Sequence, residues 1–218
     1  MKKIISFSLW GQNTLYTLGA VKNSEMRKDF YPDWTCRFYV DASVPTEILS
    51  KLDNGENEIY RMNPMYDVLG MFWRFRPMFD DAEIERFIVR DCDSRFTMRE
   101  VNAVKQWEKE NTPFHLIRDN QSHNTHILGG MWGAKKNAVP NFEFKINSYL
   151  SKVTPCNTQE GRRFHGADQL FLSQYVWPFI KDDHTGHIMA GKPHLRYTGN
   201  EIDLPPLEEN GHYIGMVC

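Results

Sequence analysis

The amino-acid sequence predicts an α/β fold: a mainly parallel central sheet with helices on both faces, in the Rossmann-like manner. Three observations carry this prediction. Short apolar runs and segments of helical spacing alternate through the first 62 residues in the order β-α-β-α-β. A later apolar run, ERFIVRDCDS at 85–94, passes directly into carboxylates, as a strand does on reaching a ligand crevice. Finally, 218 residues, 41% hydrophobic and 25% charged, suffice for one sizeable core. A single domain over 1–218 is therefore expected, in two halves, 1–95 and 96–218.

Residues 2–9, KKIISFSL, read as a first buried strand ended by Gly11. LYTLGAVKNSEMRKDFY then has helical spacing through Leu15, Leu18 and Met26 until Pro32 closes it. TCRFYVD at 35–41 is a second strand, VPTEILSKL a helix capped by Ser43 with Glu47, and NEIYRM a third strand. MYDVLGMFWRFRPMF at 65–79 is predicted helical and leads into the strand at 85–94. TMREVNAVKQWEKEN follows as an amphipathic helix with Val101, Val104 and Trp107 on one side, and FHLIRD as a further strand. QSHNTHILGGMWGAKKN is rich in turn residues, and NFEFKINSYLSKV and GADQLFLSQYVWPFI are two later helices. The last thirty residues, interrupted by Pro193, Pro205, Pro206 and four glycines, read as an irregular tail wrapping back over the sheet.

Composition excludes several classes. A net charge of −2 provides no global basic field for non-specific binding to nucleic acid or acidic membrane. No apolar stretch approaches the roughly 20 residues of a membrane span, and the start breaks at Trp10-Gly11-Gln12 before a signal-peptide core completes. The expectation is a soluble, cytoplasmic protein of the producing or host cell. Cys36, Cys92, Cys156 and Cys218 are scattered without any Cys-x-x-Cys pair, which argues for reduced thiols over a disulfide framework or zinc ribbon.

The chemistry concentrates at Asp91 and Asp93. Two carboxylates at i and i+2 at a strand's end can approach one metal while Cys92 faces away, and hard oxygen ligands suit Mn²⁺ or Mg²⁺. The plainer reading is a turn that caps the helix at Thr97. Arg90, Arg95 and Arg99 surround the pair and Arg74 and Arg76 precede it, so cationic groups for phosphate oxygens are at hand; solvated surface arginines are the alternative. His123 and His126 have a spacing that suits zinc but lack a third partner nearby, so they read as loop residues. The tryptophans and the MFW stretch at 71–73 read as packing, with Met131 and Trp132, beside glycines, as exceptions.

Together these segments resemble the GT-A glycosyltransferases, in particular the retaining family that includes glycogenin and the bacterial lipopolysaccharide galactosyltransferases. FWRFRPMF followed by RFIVRDCDS is similar to that family's helix arginine, strand and Asp-x-Asp, which implies Arg74 at the diphosphate and Asp91 and Asp93 at the metal. ILGGMWGAK at 127–135 falls where the family has its donor-sugar strand, implying backbone approach by Gly129, Gly130 and Met131, although the family's asparagine is missing. GADQLFLSQY resembles the Asp-Gln element, with Asp168 near the anomeric carbon and Gln169 beside it as catalytic candidates. HYIG matches the His-x-x-Gly whose histidine, His212, completes the metal site; the Lys-Pro-Trp that should follow is absent. Lys192 is then a candidate diphosphate lysine, and His187 rivals His212 as third ligand. By position, Phe7, Ser8, Leu9 and Trp10 border the base and Tyr16 can stack on it, while Tyr16 and Trp10 read equally well as core aromatics; Arg90 joins the donor-binding set.

The resemblance implies a nucleotide-binding half over 1–95, a donor-sugar and acceptor half over 96–218, a UDP-sugar donor, Mn²⁺ or Mg²⁺, and retention of anomeric configuration. The acceptor is expected to be a glycan or glycoconjugate hydroxyl. A hydroxymethylated base in viral DNA is the alternative, served by Lys136, Lys145, Lys152 and Arg162 unless these form a solvated face. Two rivals differ in class. A haloacid-dehalogenase-like phosphatase also carries Asp-x-Asp after a strand, and Lys181-Asp182-Asp183 imitates its later residues, but here three strands precede Asp91. A non-catalytic sugar-binding module would keep the fold while Asp168 met no acceptor.

Overall fold

The computed structural model describes residues 1–63, 67–80, 83–153, 166–207 and 211–218. Eight strands form one sheet in the order β3-β2-β1-β4-β6-β5-β7-β8. They are β1 (Lys2–Leu9), β2 (Thr35–Val40), β3 (Glu58–Arg61), β4 (Ile84–Val89), β5 (Phe114–Arg118), β6 (Trp132–Lys135), β7 (Thr185–Ile188) and β8 (Glu201–Asp203). β6 runs antiparallel to both its neighbours, and every other pairing is parallel. β1 is buried through six consecutive residues because it lies between β2 and β4 with packed layers above and below. The chain leaves β1 toward β2 on one side and returns to β4 on the other. That reversal is the switch point where the carboxyl ends of parallel strands open a crevice.

The sheet separates two apolar clusters. One packs Phe72, Phe75, Trp132 and Phe171; the other packs Phe7, Phe38, Trp34 and Trp107. The helices are α1 (Thr14–Phe30), α2 (Thr46–Leu52), α3 (Met98–Glu110), α4 (Phe142–Val153), α5 (Ala167–Phe171) and α6 (Trp177–Ile180). Thr97 caps α3, its hydroxyl accepting the Glu100 N–H, and Asn111 closes it in the left-handed conformation.

Several local expectations change. The segment expected helical over 65–79 is a 3-10 helix over Asp67–Met78, with Pro77 inside it. Ser43 does not cap α2. Its hydroxyl bonds to the Asp41 carboxylate and accepts the Gly11 N–H, so α2 begins after Pro45 without a side-chain cap. The helix expected over 166–180 is interrupted by a π-helical turn at Leu172–Val176 between α5 and α6. The tail contributes β8 to the sheet, and β7 just before it was not expected.

α1 departs most from its pattern. Leu15 and Leu18 are exposed, and the face turned inward is Thr17, Gly19, Ala20, Asn23 and Ser24. The reason is steric. A Cβ on Gly19 would collide with the backbone oxygen of Cys92, so the helix lies directly against the turn that follows β4.

Candidate active site

A cavity of about 580 Å³ opens beyond the carboxyl ends of β1 and β4. Arg74, from the 3-10 helix, lies at its base. Its backbone N–H donates to Ser8 Oγ at 2.9 Å, and its carbonyl accepts from Ser6 Oγ at 2.7 Å, so two serines of β1 clamp it. Its guanidinium donates through Nη2 to Asp168 Oδ2 at 2.9 Å and pairs through Nη1 with Asp91 Oδ1. Burial alone would lower the guanidinium pKa, but the charges of Asp91 and Asp168 outweigh it and the net shift is upward. One cation thus joins carboxylates from β4's end and from α5.

Each carboxylate has its own support. Asp91 and Asp93 lie on the turn after β4, where the Asn23 side-chain amide donates to Ser94 O at 3.0 Å and Arg95 Nη1 donates to Cys92 O at 2.9 Å. The tail closes the other side: Val217 bridges Ser94, and the Cys218 N–H donates to Asp93 O at 2.9 Å. Asp168 sits in the first turn of α5, which Gly166 enters at φ +79°, and its Oδ1 accepts the Gln169 N–H at 2.9 Å. Gly129 and Gly130 complete the wall. A Cβ on Gly129 would strike the Asp168 carboxylate and one on Gly130 the Asp91 carboxylate, so both positions must be bare.

The two carboxylates of the turn act on each other. Burial and then the charge of Asp91 raise the Asp93 pKa, as expected for two acids sharing a site that lacks sufficient positive charge. Among the described residues no set of three His, Cys, Asp or Glu side chains forms a metal cluster. Asp91 and Asp93, both lining the cavity, are the hard oxygen donors that could hold a cation such as Mg²⁺ or Mn²⁺.

No protein family and no curated protein matches the sequence. Solved structures do match by shape. A glycosyltransferase involved in glycosylation of the major capsid of PBCV-1 superposes with a TM-score of 0.50 at 15% identity, over 86% of this chain and 82% of that one. The galactosyltransferase LgtC matches with a TM-score of 0.48 at 14% identity, over 80% and 70%. The mannosyl-3-phosphoglycerate synthase from Rubrobacter xylanophilus matches with a TM-score of 0.44 at 12% identity, over 84% and 75%. The chain has the GT-A fold.

Within the GT-A frame, the cavity gathers Ser8, Leu9, Trp10, Tyr16, Arg74, Asp91, Asp93, Gly129, Gly130, Met131, Asp168 and Gln169, drawn from both halves of the sequence. The Tyr16 phenol is held protonated by burial and then by the nearby charges of Asp93 and Asp91, so it stands beside the carboxylates. Four predicted residues lie elsewhere. Phe7 is fully buried, stacked on Phe38 at 5.0 Å, because it alternates with Ser6 and Ser8 across the sheet. Arg90 is buried against Glu100 at 2.7 Å and donates to backbone carbonyls, which commits its guanidinium to the core. Lys192 precedes a short 3-10 helix, Pro193–Leu195, and does not line the cavity. His212 lines a different cavity, of about 590 Å³, between α3 and the tail.

The rival histidine is also remote: His187 is buried in β7, hydrogen-bonded to His115 at 3.0 Å and Gln106 at 3.1 Å. Arg162 of the basic stretch and Cys156 lie outside the described residues. Among those described, Cys36, Cys92 and Cys218 are free thiols, and no helix is long and apolar enough to cross a membrane. His123 and Leu128 line the cavity unforeseen. Neither has a periodic pattern to announce it, since both sit in the turn-rich loop between β5 and β6.

Proposed function

We propose that this chain is a glycosyltransferase that moves a sugar from a nucleoside diphosphate, a UDP-sugar by resemblance, to the hydroxyl of a glycan or glycoconjugate, with Mn²⁺ or Mg²⁺ and with retention of configuration. The observation that carries the reading is the linked set Asp91–Arg74–Asp168 inside one cavity at the switch point of the sheet. A strand-end carboxylate pair suits a diphosphate-bound cation, and a carboxylate 77 positions later in the same pocket suits the sugar end. Lys181, Asp182 and Asp183, which imitate a phosphatase's later residues, do not line this cavity.

Asp91 and Asp93 would hold the cation, which would supply positive charge to the departing diphosphate. The roles of the chain's own side chains follow from their positions. Arg74 neutralises Asp168 in the resting site and remains charged beside the diphosphate oxygens. Gly129 and Gly130, bare of side chains, let the Asp168 and Asp91 carboxylates lie against the backbone that by resemblance borders the donor sugar. Asp168, held by Arg74 and the Gln169 N–H, would face the anomeric centre, where positive charge develops as the bond to the diphosphate lengthens. The acceptor hydroxyl oxygen bonds to the anomeric carbon as the bond to the diphosphate breaks, and its proton passes to an oxygen of the departing diphosphate.

Incubating the protein with UDP-glucose or UDP-galactose and Mn²⁺ tests this reading. Metal-dependent release of UDP, with the sugar passing to water or to an added glycan, is the expected result. Asp168→Asn should lower that rate by about 100-fold or more while donor affinity stays within a few-fold. A sugar-binding module would bind the donor and release nothing, and equal rates in Asp168→Asn would remove Asp168 from the chemistry.

A further inference from the structure

We infer that His123 is a neutral hydrogen-bond donor to the sugar nucleotide, presenting Nε2–H to the cavity, and that it is not a ligand of the cation. The inference rests on the glycosyltransferase reading above.

His123 lines the same cavity as Asp91, Asp93, Met131 and Gly215, and it is the histidine among the described residues that does so. Sharing the cavity would make it the next candidate for third metal ligand, since His212 and His187 lie elsewhere. Its hydrogen bonding argues otherwise. Nδ1 accepts the backbone N–H of Asp119 at 3.1 Å. A ring nitrogen that accepts a hydrogen bond carries no proton, so the hydrogen of the neutral ring is on Nε2. Ligation through Nε2 would move that hydrogen to Nδ1, where it would confront the Asp119 N–H. Metal-bound histidines have the reverse arrangement, donating from the second nitrogen to a carbonyl, carboxylate or water.

Asp119 cannot readily turn away to relieve the conflict. Its carboxylate accepts from Arg99 Nε and Nη2 at 2.7 Å each and from the Ile214 N–H at 2.9 Å, and it is fully buried. Tyr213 meets the imidazole edge-on at 5.7 Å. Burial, opposed only by the Asp119 charge, pushes the pKa of His123 down to about 4, so the ring stays neutral at ordinary pH. Nε2 makes no hydrogen bond to any described residue. A fixed N–H donor on the wall shared with Asp91 and Asp93 meets the oxygen-rich part of the donor, its diphosphate or its sugar hydroxyls.

The test compares wild type with His123→Leu and His123→Gln by calorimetry, titrating UDP, UDP-glucose and UDP-galactose with Mn²⁺ present, and by electron paramagnetic resonance for Mn²⁺ alone. In His123→Leu nucleotide affinity should fall about tenfold, with partial recovery in His123→Gln, whose amide still donates, and Mn²⁺ affinity should stay within about twofold. A loss shared by UDP places the bonded oxygen on the diphosphate; a loss confined to the two UDP-sugars places it on the sugar. Unchanged nucleotide affinity in His123→Leu, or a loss of Mn²⁺ affinity of about tenfold, overturns the inference. Should the leucine variant fail to fold, long-range ¹H–¹⁵N spectra of wild type decide the tautomer: protonation of His123 at Nε2 with and without Mg²⁺ is expected, and protonation at Nδ1 contradicts it. Wild type that binds none of the three nucleotides overturns the glycosyltransferase reading itself, an outcome distinct from wild type and His123→Leu binding alike.

Discussion

α1 and α3 both cover the same face of the sheet, yet they pack by opposite rules. α3 buries Val101, Ala103, Val104 and Trp107, with Glu100 at its start buried against Arg90. α1 buries Thr17, Gly19, Ala20, Asn23 and Ser24 and leaves Leu15 and Leu18 in solvent. α3 supports the sheet, and bulk is what a core layer needs. α1 supports a turn, and small residues let its backbone reach the Cys92 carbonyl while Asn23 holds Ser94. A helix that fixes a turn through close approach need not look amphipathic.

The contrast can be broken from either side. Trp107→Ala should cost the most stability, about 3–5 kcal/mol, because the indole is fully buried and stacked on His115; urea unfolding would measure it. Acid should act on the same side. His187 is buried with its pKa pushed down to about 4, against an unfolded value of 6.5, so the unfolded chain binds more protons between those limits. Stability is therefore full above about pH 6.5 and falls as the pH drops toward 4, by about 3 kcal/mol from this group, and His187→Gln should flatten the slope.

On the α1 side the effects should be smaller in stability and larger in function. Gly19→Ala should cost about 2 kcal/mol by pushing against Cys92 and should abolish metal-dependent nucleotide binding by calorimetry. Asn23→Ala should cost about 1 kcal/mol and weaken that binding several-fold. Leu18→Lys should change stability by less than about 0.5 kcal/mol, because the side chain is exposed. A large loss there would mean that α1 packs as its leucines suggest.

The same contrast explains what the sequence makes legible. β1 stands out because six consecutive residues are buried between neighbouring strands. The Asp91–Asp93 pair stands out because the apolar run Phe87, Ile88, Val89 ends in charge. Both are local signals. The inward face of α1 is hidden because its partner is a backbone oxygen, which has no counterpart in hydrophobic periodicity. The bridge from Arg74 to Asp168 joins residues 94 apart, so resemblance could place both near one ligand without indicating that one holds the other. Phe7 and Ser8 were grouped by adjacency, although a strand sends them to opposite faces. β7 and β8, of four and three residues, are too short to show a period, and His123 is oriented by the backbone N–H of Asp119.

The most direct measurement of the central claim is a thermal-shift comparison of wild type, Asp91→Asn and Asp93→Asn with nucleoside diphosphates and their sugars, each with and without Mn²⁺. A ligand that binds the native state raises its Tm. A metal-dependent rise with one nucleotide's derivatives is expected in wild type, and its loss in both variants. An equal rise in the variants, or no rise with any nucleotide in wild type, would contradict it.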